Sequence, residues 1–260
     1  MQILITGAYG QLGSEIKDIV QNYPGWNFVF IDIDTLDITD ENAVKSFFKE
    51  NSFDFVINCA AYTAVDKAES DVENADKVNA IAPKILARIT NQIGIKFIHI
   101  STDYVFDGNA NQPYSETDNV NPQGIYGKTK LEGEQNCMAE NPKTVIIRTS
   151  WLYSGFGNNF VKTMLRLGKE RGKLDVVFDQ TGTPTYAADL ANTILEIIDS
   201  LEFVPGIYHY SNEGVTSWFD FAKAIFEISG VVCKLNPVLS EQFPTPTKRP
   251  HYSVLDKSKI

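Results

Sequence analysis

The chain has 260 residues, 43% of them hydrophobic, enough for a sizeable core in one large domain or two smaller ones. Its formal net charge is -10 and its pI about 4.8, a balance that argues against nucleic acid or an anionic membrane as the main partner but leaves room for a small anionic ligand met by local cations. Cys59, Cys137 and Cys233 are far apart with no C-x-x-C pair, so neither a zinc ribbon nor a disulfide framework is expected, and the thiols read as reduced in a cytoplasmic protein.

The chain opens directly as a strand, so no secretory leader is expected, and no apolar run reaches membrane-spanning length. ILIT (3–6) is a β-branched apolar run stopping at Gly7, and 11–23 carries Leu12, Ile16, Ile19 and Val20 at helical spacing. NFVFID (27–32) reads as a second strand. Residues 40–51 open on an acid and set Val44, Phe47 and Phe48 on one side, as a helix does. Residues 53–61 read as a third strand and 72–94 as a long helix ending at Gly94, in which Pro83 predicts a kink or local break. KFIHIST (96–102) is a fourth strand, 128–141 a helix and 144–153 a fifth strand. These strands are continuous apolar runs, the pattern of a parallel sheet buried on both faces. Their alternation with helices predicts a doubly wound α/β unit.

Beyond residue 150 the rhythm loosens. Residues 158–172 form an amphipathic helix with Phe160, Met164 and Leu167 on one side, and 174–186 a strand running into a Gly/Pro turn. Helix 187–200, strand 206–211 and helix 217–230 follow. From 236 onward Pro237, Pro244, Pro246 and Pro250 mark a loop or wrapping connection, either over a ligand cleft or on plain surface.

Gly7, Gly10 and Gly13 in TGAYGQLG follow the first strand and open the first helix. One glycine makes the tight turn, one lets the backbone approach a pyrophosphate and one lets the helix pack close to the sheet, with the phosphates on free N–H groups at the helix N-terminus. The spacing is G-x-x-G-x-x-G, and its strand–turn–helix setting favours dinucleotide binding over a merely tight turn. Asp32 ends the second strand. Its carboxylate either accepts from the adenosine ribose hydroxyls, favouring NADH over NADPH by repelling a 2′-phosphate, or only shapes the turn in DIDTLDITD. Asp37 is expected near the adenine. Small residues Ala60 and Ala61 end the third strand where a cofactor would pass, with Tyr62 and Thr63 next, while Asp66, Lys67 and Glu69 read as helix-start charges. Ser101, Thr102, Asp103 and Tyr104 close the fourth strand, where a hydroxyl either holds a substrate carbonyl or is an ordinary polar strand end. Tyr126 and Lys130 in YGKTK stand four apart and share a helix face, which fits either a polar first turn or a tyrosine that moves a proton.

Glycines, Asp32, a Ser–Thr pair and Tyr-x-x-x-Lys in this order resemble the extended branch of the short-chain dehydrogenase/reductase superfamily. TAVDKAE, STDYVFDG, YGKTKLEGE, RTSWLY, GNNFVKTMLRL, DQTGTPT and the RP at 249–250 resemble its dTDP-4-dehydrorhamnose reductase family over essentially the whole chain. The resemblance implies a doubly wound parallel-sheet Rossmann domain over 1–150 for NADH or NADPH. It implies a smaller, mainly substrate-binding region over 151–260, with the helix near 187–200 packed back on the Rossmann domain. It further implies reduction of a dTDP-linked 4-keto sugar, with Tyr126 as general acid/base, Lys130 on the nicotinamide ribose and Thr102 completing the triad. Gly7, Gly10, Gln11, Leu12 and Gly13 would serve the cofactor, as would Asp32, Asp37, Ile38, Ala61, Tyr62, Thr63 and Ile100. Thr102, Asp103, Trp151, Asn159, Lys162 and Arg249 would serve the substrate. Read from the residues alone, Trp151 fits a core aromatic or a cleft wall, and Lys162 and Arg166 fit a solvated helix face or a diphosphate site.

A free phenol titrates near pH 10, too high for ready exchange at neutrality. A lysine cation about 4 Å away is worth roughly 4 kcal/mol at an effective dielectric near 20, so Lys130 is expected to draw Tyr126 down by about one to three units. Some members of the family hold Mg²⁺ at a dimer interface. Glu15 matches one such position but its partners are not identifiable, so no metal is expected, and a homodimer is left open. Members also continue past the point matched by Ile260 into a helical segment. The alternatives are a reductase of another nucleotide-linked 4-keto sugar, or a non-catalytic dinucleotide-binding regulator. The intact Thr102, Tyr126 and Lys130 set argues against the regulator.

Overall fold

In the computed structural model, which describes residues 1–260, β1 (Gln2–Thr6) leads through a glycine turn into α1 (Gln11–Ile19). β2 (Asn27–Ile31), α2 (Glu41–Glu50) and β3 (Phe55–Asn58) follow. Next come the short helices α3 (Val65–Ala68) and α4 (Val72–Asp76), then α5 (Ala82–Ile93) and β4 (Lys96–Thr102). α6 (Ile125–Glu140), β5 (Val145–Thr149), β6 (Leu152–Tyr153), α7 (Phe160–Glu170) and β7 (Lys173–Val177) continue the chain. β8 (Thr181–Gly182), β9 (Thr185–Tyr186), α8 (Ala187–Asp199), β10 (Gly206–Tyr210), β11 (Thr216–Ser217), α9 (Trp218–Ser229) and β12 (Lys234–Val238) complete it.

Six parallel strands make the central sheet in the order β2–β1–β3–β4–β5–β10. The order reverses between β1 and β3, which leaves a crevice at their carboxyl ends, the usual ligand position in an open α/β sheet. Successive residues point to opposite faces. Ile3, Ile5, Ile57, Ile98 and Ile147 meet Leu12 and Ile16 of α1 and Leu190, Ile194 and Leu195 of α8. Leu4, Val56, Phe97 and Ile146 meet Val44 and Phe48 of α2, Leu86 and Ile89 of α5, and Cys137 of α6. Each such aliphatic side chain contributes about 1.5–3 kcal/mol by leaving water. A second core joins Met164 of α7, Leu174 and Val176 of β7, and Ile225 and Phe226 of α9.

Four expectations are corrected. The helix anticipated over 72–94, with a kink or local break at Pro83, is interrupted just before that residue: a π-helical turn, Lys77–Ile81, separates α4 from α5, and Pro83 sits in the first turn of α5. The strand anticipated over 144–153 stops at Thr149 because Trp151 takes a left-handed φ of 48°, and Leu152–Tyr153 pairs with Thr185–Tyr186 instead. Pro237 is inside a strand, β12, which pairs in parallel with β7 in a two-stranded ribbon where a proline without an N–H is tolerated. The helix carrying Tyr126 starts at Ile125, not near 128.

α6 buries Gly127, Thr129, Lys130, Gly133, Glu134 and Cys137. Few of these are apolar, and the helix is held by polar anchors and close approach. Gly127 lies on the Tyr104 carbonyl and Gly133 on the Asn79 carbonyl, with no room for a Cβ at either. Glu134 accepts from Arg148 Nη2 at 2.6 Å and Nε at 2.9 Å, and from Ser101 Oγ at 2.5 Å. Both charged side chains of that pair are only 3% exposed. Glu134→Gln leaves the guanidinium buried without its counter-charge and is expected to cost about 3–5 kcal/mol. Replacing both partners (Glu134→Leu with Arg148→Met) should recover most of that loss, read as the shift of urea unfolding midpoints.

Candidate active site

A cleft of about 960 Å³ opens at the carboxyl edge of the sheet. Its floor is the glycine turn. Gly7 has a φ of 66°, and a Cβ there would come within 2.6 Å of the Ala60 backbone nitrogen. Gly10 immediately precedes α1, whose first turn has no side-chain cap, so its N–H groups are open to an anion. Gly13 lies beneath the turn, where a Cβ would meet the Gly7 carbonyl at 2.5 Å. It packs the helix and does not line the cleft.

One side of the cleft is built by Gln11, Leu12, Asp32, Asp37 and Ile38, with Ala61, Thr63 and Ile100 farther in. Asp32 accepts from the backbone N–H of Tyr9 and of Ile33, each at 2.9 Å, so it braces the glycine turn as well as facing the cleft. Asp37 accepts from the N–H and hydroxyl of Thr39. Tyr62 is not in the lining. Its hydroxyl donates to Asp71 at 2.9 Å, and its backbone N–H and C=O are both held by the Asn79 amide. Asn79 belongs to the π-helical turn and also donates to Thr129 of α6.

The opposite side brings together Thr102, Asp103, Tyr104, Tyr126, Lys130, Trp151 and Arg249. Thr102 Oγ1 accepts from the Tyr104 N–H at 3.2 Å and lies 2.9 Å from Asp103 Oδ1. The Tyr104 and Tyr126 rings meet edge to face at 5.4 Å. Burial raises the Tyr126 phenol above its usual range, the Thr102 hydroxyl opposes that rise, and Asp103 and Tyr104 add to it. The expected lowering by Lys130 does not occur. The Lys130 ammonium is turned to the Ile100 carbonyl at 2.6 Å, with His99 Nε2 at 3.5 Å, and burial outweighs any other influence on the phenol. Lys130 is itself drawn down to about 8 by burial, with Glu134 partly offsetting it. Burial holds His99 well below its usual value, and Lys130 lowers it further, so that imidazole is neutral. Asp103 is pushed up to about 7 by burial, against the pull of Thr102, Ser253 and nearby backbone N–H groups.

Trp151 faces the cleft and stacks on Trp218 with ring centroids 3.5 Å apart and planes 8° from parallel. Gly182 makes that possible, since a Cβ there would meet the indole at 2.6 Å. Asn159 and Lys162 do not line the cleft. Asn159 caps α7 through the Lys162 N–H and donates to Gln11 Oε1 at 2.9 Å, so it acts on the lining from behind. Lys162 Nζ donates to the Gly157 carbonyl on the exposed side.

Reading by sequence missed Tyr9, Ser150 and Trp218 in the lining. It also misread Asp66 and Glu69. Asp66 pairs with Arg249 Nη2 at 2.6 Å, and Arg249 Nη1 donates to the Tyr104 hydroxyl at 3.0 Å. Glu69 accepts from the Ile125 N–H at 2.9 Å and from Thr247 Oγ1 at 3.3 Å. The proline-rich segment is thereby latched to the first turn of α6. Acids three apart on a short helix were the only local sign, and their partners lie up to 183 positions away.

The whole chain, residues 1–260, matches the family model described as RmlD substrate binding domain. It is 42% identical over 269 residues to the dTDP-4-dehydrorhamnose reductase of Aggregatibacter actinomycetemcomitans, covering 100% of this chain and 92% of that one. A crystal structure of a dTDP-4-dehydrorhamnose reductase from Clostridium acetobutylicum superposes with a TM-score of 0.95 at 51% identity, over 99% of this chain and 90% of that one. One from Bacillus anthracis, in complex with NADP, also gives 0.95, at 42% identity over 99% and 91% of the two chains.

The buried Lys130 sets a measurable stability signature. Its folded pKa of about 8 lies below the unfolded value, so the unfolded chain binds more protons between pH 8 and about 10.4 and stability from this group rises with pH across that window. Below it, the charged amine is a standing cost. Lys130→Met is expected to be more stable than the parent by about 1–3 kcal/mol at pH 7, with the advantage shrinking by pH 10, as urea unfolding at the two pH values will read. A variant less stable at pH 7 would show that the amine's carbonyl contact outweighs its desolvation.

Proposed function

The chain belongs to the RmlD substrate binding domain family, and from that membership and the cleft we infer that it reduces dTDP-4-dehydro-6-deoxy-L-mannose (dTDP-4-dehydro-β-L-rhamnose) to dTDP-L-rhamnose with a reduced nicotinamide dinucleotide, in dTDP-rhamnose biosynthesis. The observation that carries this reading is the convergence in one cleft of a bare glycine turn, Asp32, Thr102, Tyr126, Lys130 and Trp151.

The residues fit the cofactor. The first turn of α1, just after Gly10, has no side-chain cap and leaves its N–H groups for a pyrophosphate, and Lys130 stands behind Ile100 for the nicotinamide ribose. When bound, the nicotinamide supplies the hydride received at C4 of the sugar. Tyr126, kept protonated by burial, donates its proton to the C4 oxygen as charge develops there, while the Thr102 hydroxyl steadies the same oxygen. Trp151, backed by Trp218, offers a flat wall to the deoxysugar. Asp103 Oδ2, buried without a partner in the protein, accepts a sugar hydroxyl. Arg249, at the junction of the cleft and the proline-rich segment, is placed for the diphosphate. Asp32 favours NADH: each of its oxygens accepts one backbone N–H and keeps a lone pair for a ribose hydroxyl, whereas a 2′-phosphate would meet like charge.

Oxidation of NADH by the purified chain in the presence of the 4-keto sugar nucleotide, with dTDP-L-rhamnose identified as product, tests the reading. No turnover with that substrate would end it. Tyr126→Phe should fold and bind cofactor normally while kcat falls by about 10²–10⁴. Wild-type turnover by a folded Tyr126→Phe protein would remove the phenol from the reaction. Asp32→Ala should narrow the gap between NADH and NADPH in kcat/KM, and a parent that already prefers NADPH strongly would contradict the assignment of Asp32.

A further inference from the structure

Behind the cleft, a line of buried polar groups crosses the sheet from β1 to α6. Thr6 Oγ1 donates to Asn58 Oδ1 at 2.7 Å, Asn58 Nδ2 meets His99 Nδ1 at 3.1 Å, and His99 Nε2 meets Lys130 Nζ at 3.5 Å. All four side chains are buried, and Asn58 and His99 do not line the cleft. One backbone group fixes the direction of the line. The Ala60 N–H can only donate, and it reaches Asn58 Oδ1 at 3.2 Å. That settles which end of the amide is oxygen, so the amide nitrogen faces His99. An amide nitrogen can only donate, so His99 Nδ1 accepts. The imidazole, kept neutral by burial, therefore carries its single hydrogen on Nε2 and aims it at Lys130. An ammonium has three donors and no acceptor, so it cannot answer that hydrogen. An uncharged amine can: its lone pair accepts from Nε2–H while one of its own hydrogens goes to the Ile100 carbonyl.

We propose that His99 is a positioning residue for Lys130: its Nε2–H, fixed by Asn58, favours the amine against Ile100 and directs the ammonium toward the nicotinamide ribose. This role rests on the reductase reading of the cleft and refines it. In the position where His99 and Ile100 hold it, the Lys130 nitrogen is best satisfied without charge. When it serves a ribose it turns from Nε2–H and takes one proton from solvent. A single N–H bond forms at Nζ, and no other bond changes. The negative pyrophosphate of a dinucleotide favours that charge, so cofactor binding and protonation of Lys130 are coupled. His99 itself gains and loses no proton.

The titratable groups facing Lys130 are His99 from β4, Cys59 just beyond β3, and Glu134 and Cys137 from α6, with Tyr126 one turn away on its own helix. Burial raises both thiols above their usual range, so they are uncharged. The Glu134 carboxylate is engaged by Arg148. Burial draws Lys130 down to about 8. Below that pH the nitrogen is already charged when a dinucleotide arrives. Above it the proton must be taken up on binding, so affinity falls as pH rises.

The tautomer is directly readable. The chain has three histidines, and His209 is an internal reference, because its Nδ1 faces the Tyr114 carbonyl and must carry the hydrogen. Long-range proton–nitrogen spectra of histidine-labelled protein should show His99 protonated on Nε2, its signals assigned by their loss in His99→Gln. A hydrogen on Nδ1 would overturn the proposal. The Lys130 amine is titrated in lysine-labelled protein and assigned with Lys130→Met. Glutamine can accept from Asn58 through its oxygen and donate to Lys130 through its nitrogen, so His99→Gln should keep the parent's midpoint. His99→Leu removes the N–H and should raise that midpoint by about one pH unit. One midpoint shared by all three proteins, or a glutamine variant that follows the leucine variant, would overturn the role of His99. The parent's tautomer and cofactor profile decide the matter even if His99→Leu does not fold. The NADH Kd of the parent should rise roughly fivefold between pH 8 and 9. Calorimetry in buffers of different ionisation heat should show proton uptake at pH 9 and little at pH 6. A Kd independent of pH would overturn the coupling. A parent that binds no NADH would overturn the reductase reading and this role with it, whereas an active parent with Nδ1–H on His99 would sink this role alone.

Discussion

A carboxylate taken out of water must be answered by charge and hydrogen bonds, and Glu134 is the place where this chain meets that demand. Its two oxygens take three donors, from Ser101 at the end of β4 and from Arg148 in β5. Helix α6 is thereby locked across two adjacent strands. Four residues toward its N-terminus Lys130 reaches the Ile100 carbonyl, and four residues beyond that Tyr126 arrives at the crevice. Residues spaced by four climb one helix face at about 6 Å per step. The same stripe therefore runs from a structural anchor through a buried amine to a phenol at the cleft. A sliding apolar interface would hold the phenol less sharply than directional bonds at one end and glycine contacts along the side.

The cleft concentrates what the rest of the fold avoids. A lysine and an aspartate are buried there with shifted acidities, and the single non-glycine residue with a left-handed backbone, Trp151, stands beside them. Such features cost stability and persist where surrounding structure over-determines them. Here the surroundings are rigid: β4 and β5 below, α6 on one side, and the latch of Thr247 and Arg249 on Asp66 and Glu69 above.

Much of this was legible in the sequence because its signals are local. Apolar runs gave the sheet strands, and glycine spacing after β1 marked the turn at the crevice. Tyr126 and Lys130 belong on one face by helical spacing alone. What the sequence hid depended on distant partners. Trp218 looks like any aromatic at the start of an amphipathic helix until Trp151 is seen stacked on it. Asp66 and Glu69 look like solvated charges until a segment about 180 residues later closes on them. Spacing also says where a Cα lies and not where a flexible amine points, which is why Lys130 was expected to act on the phenol when it is engaged by a carbonyl. The π-helical turn escaped because Pro83 announces a disturbance without saying which. In the fold the chain widens by one residue, and Asn79 turns inward to hold the strand-end loop at Tyr62.

The late return of β10 to the sheet bears on how the protein is made. β5 is complete at Thr149, but its outer neighbour is not synthesised until Gly206–Tyr210, and α8, which roofs the same face, comes just before it. At about 5–20 residues per second on a ribosome, the chain spends roughly 3 to 11 seconds with an open, apolar strand edge and an uncovered sheet face. The half that carries the glycine turn is thus encoded first but sealed late, so its folding is gated by translation of the segment that follows. A pause in elongation between the two would lengthen the interval in which a neighbouring nascent chain could pair with β5 in place of its own sixth strand.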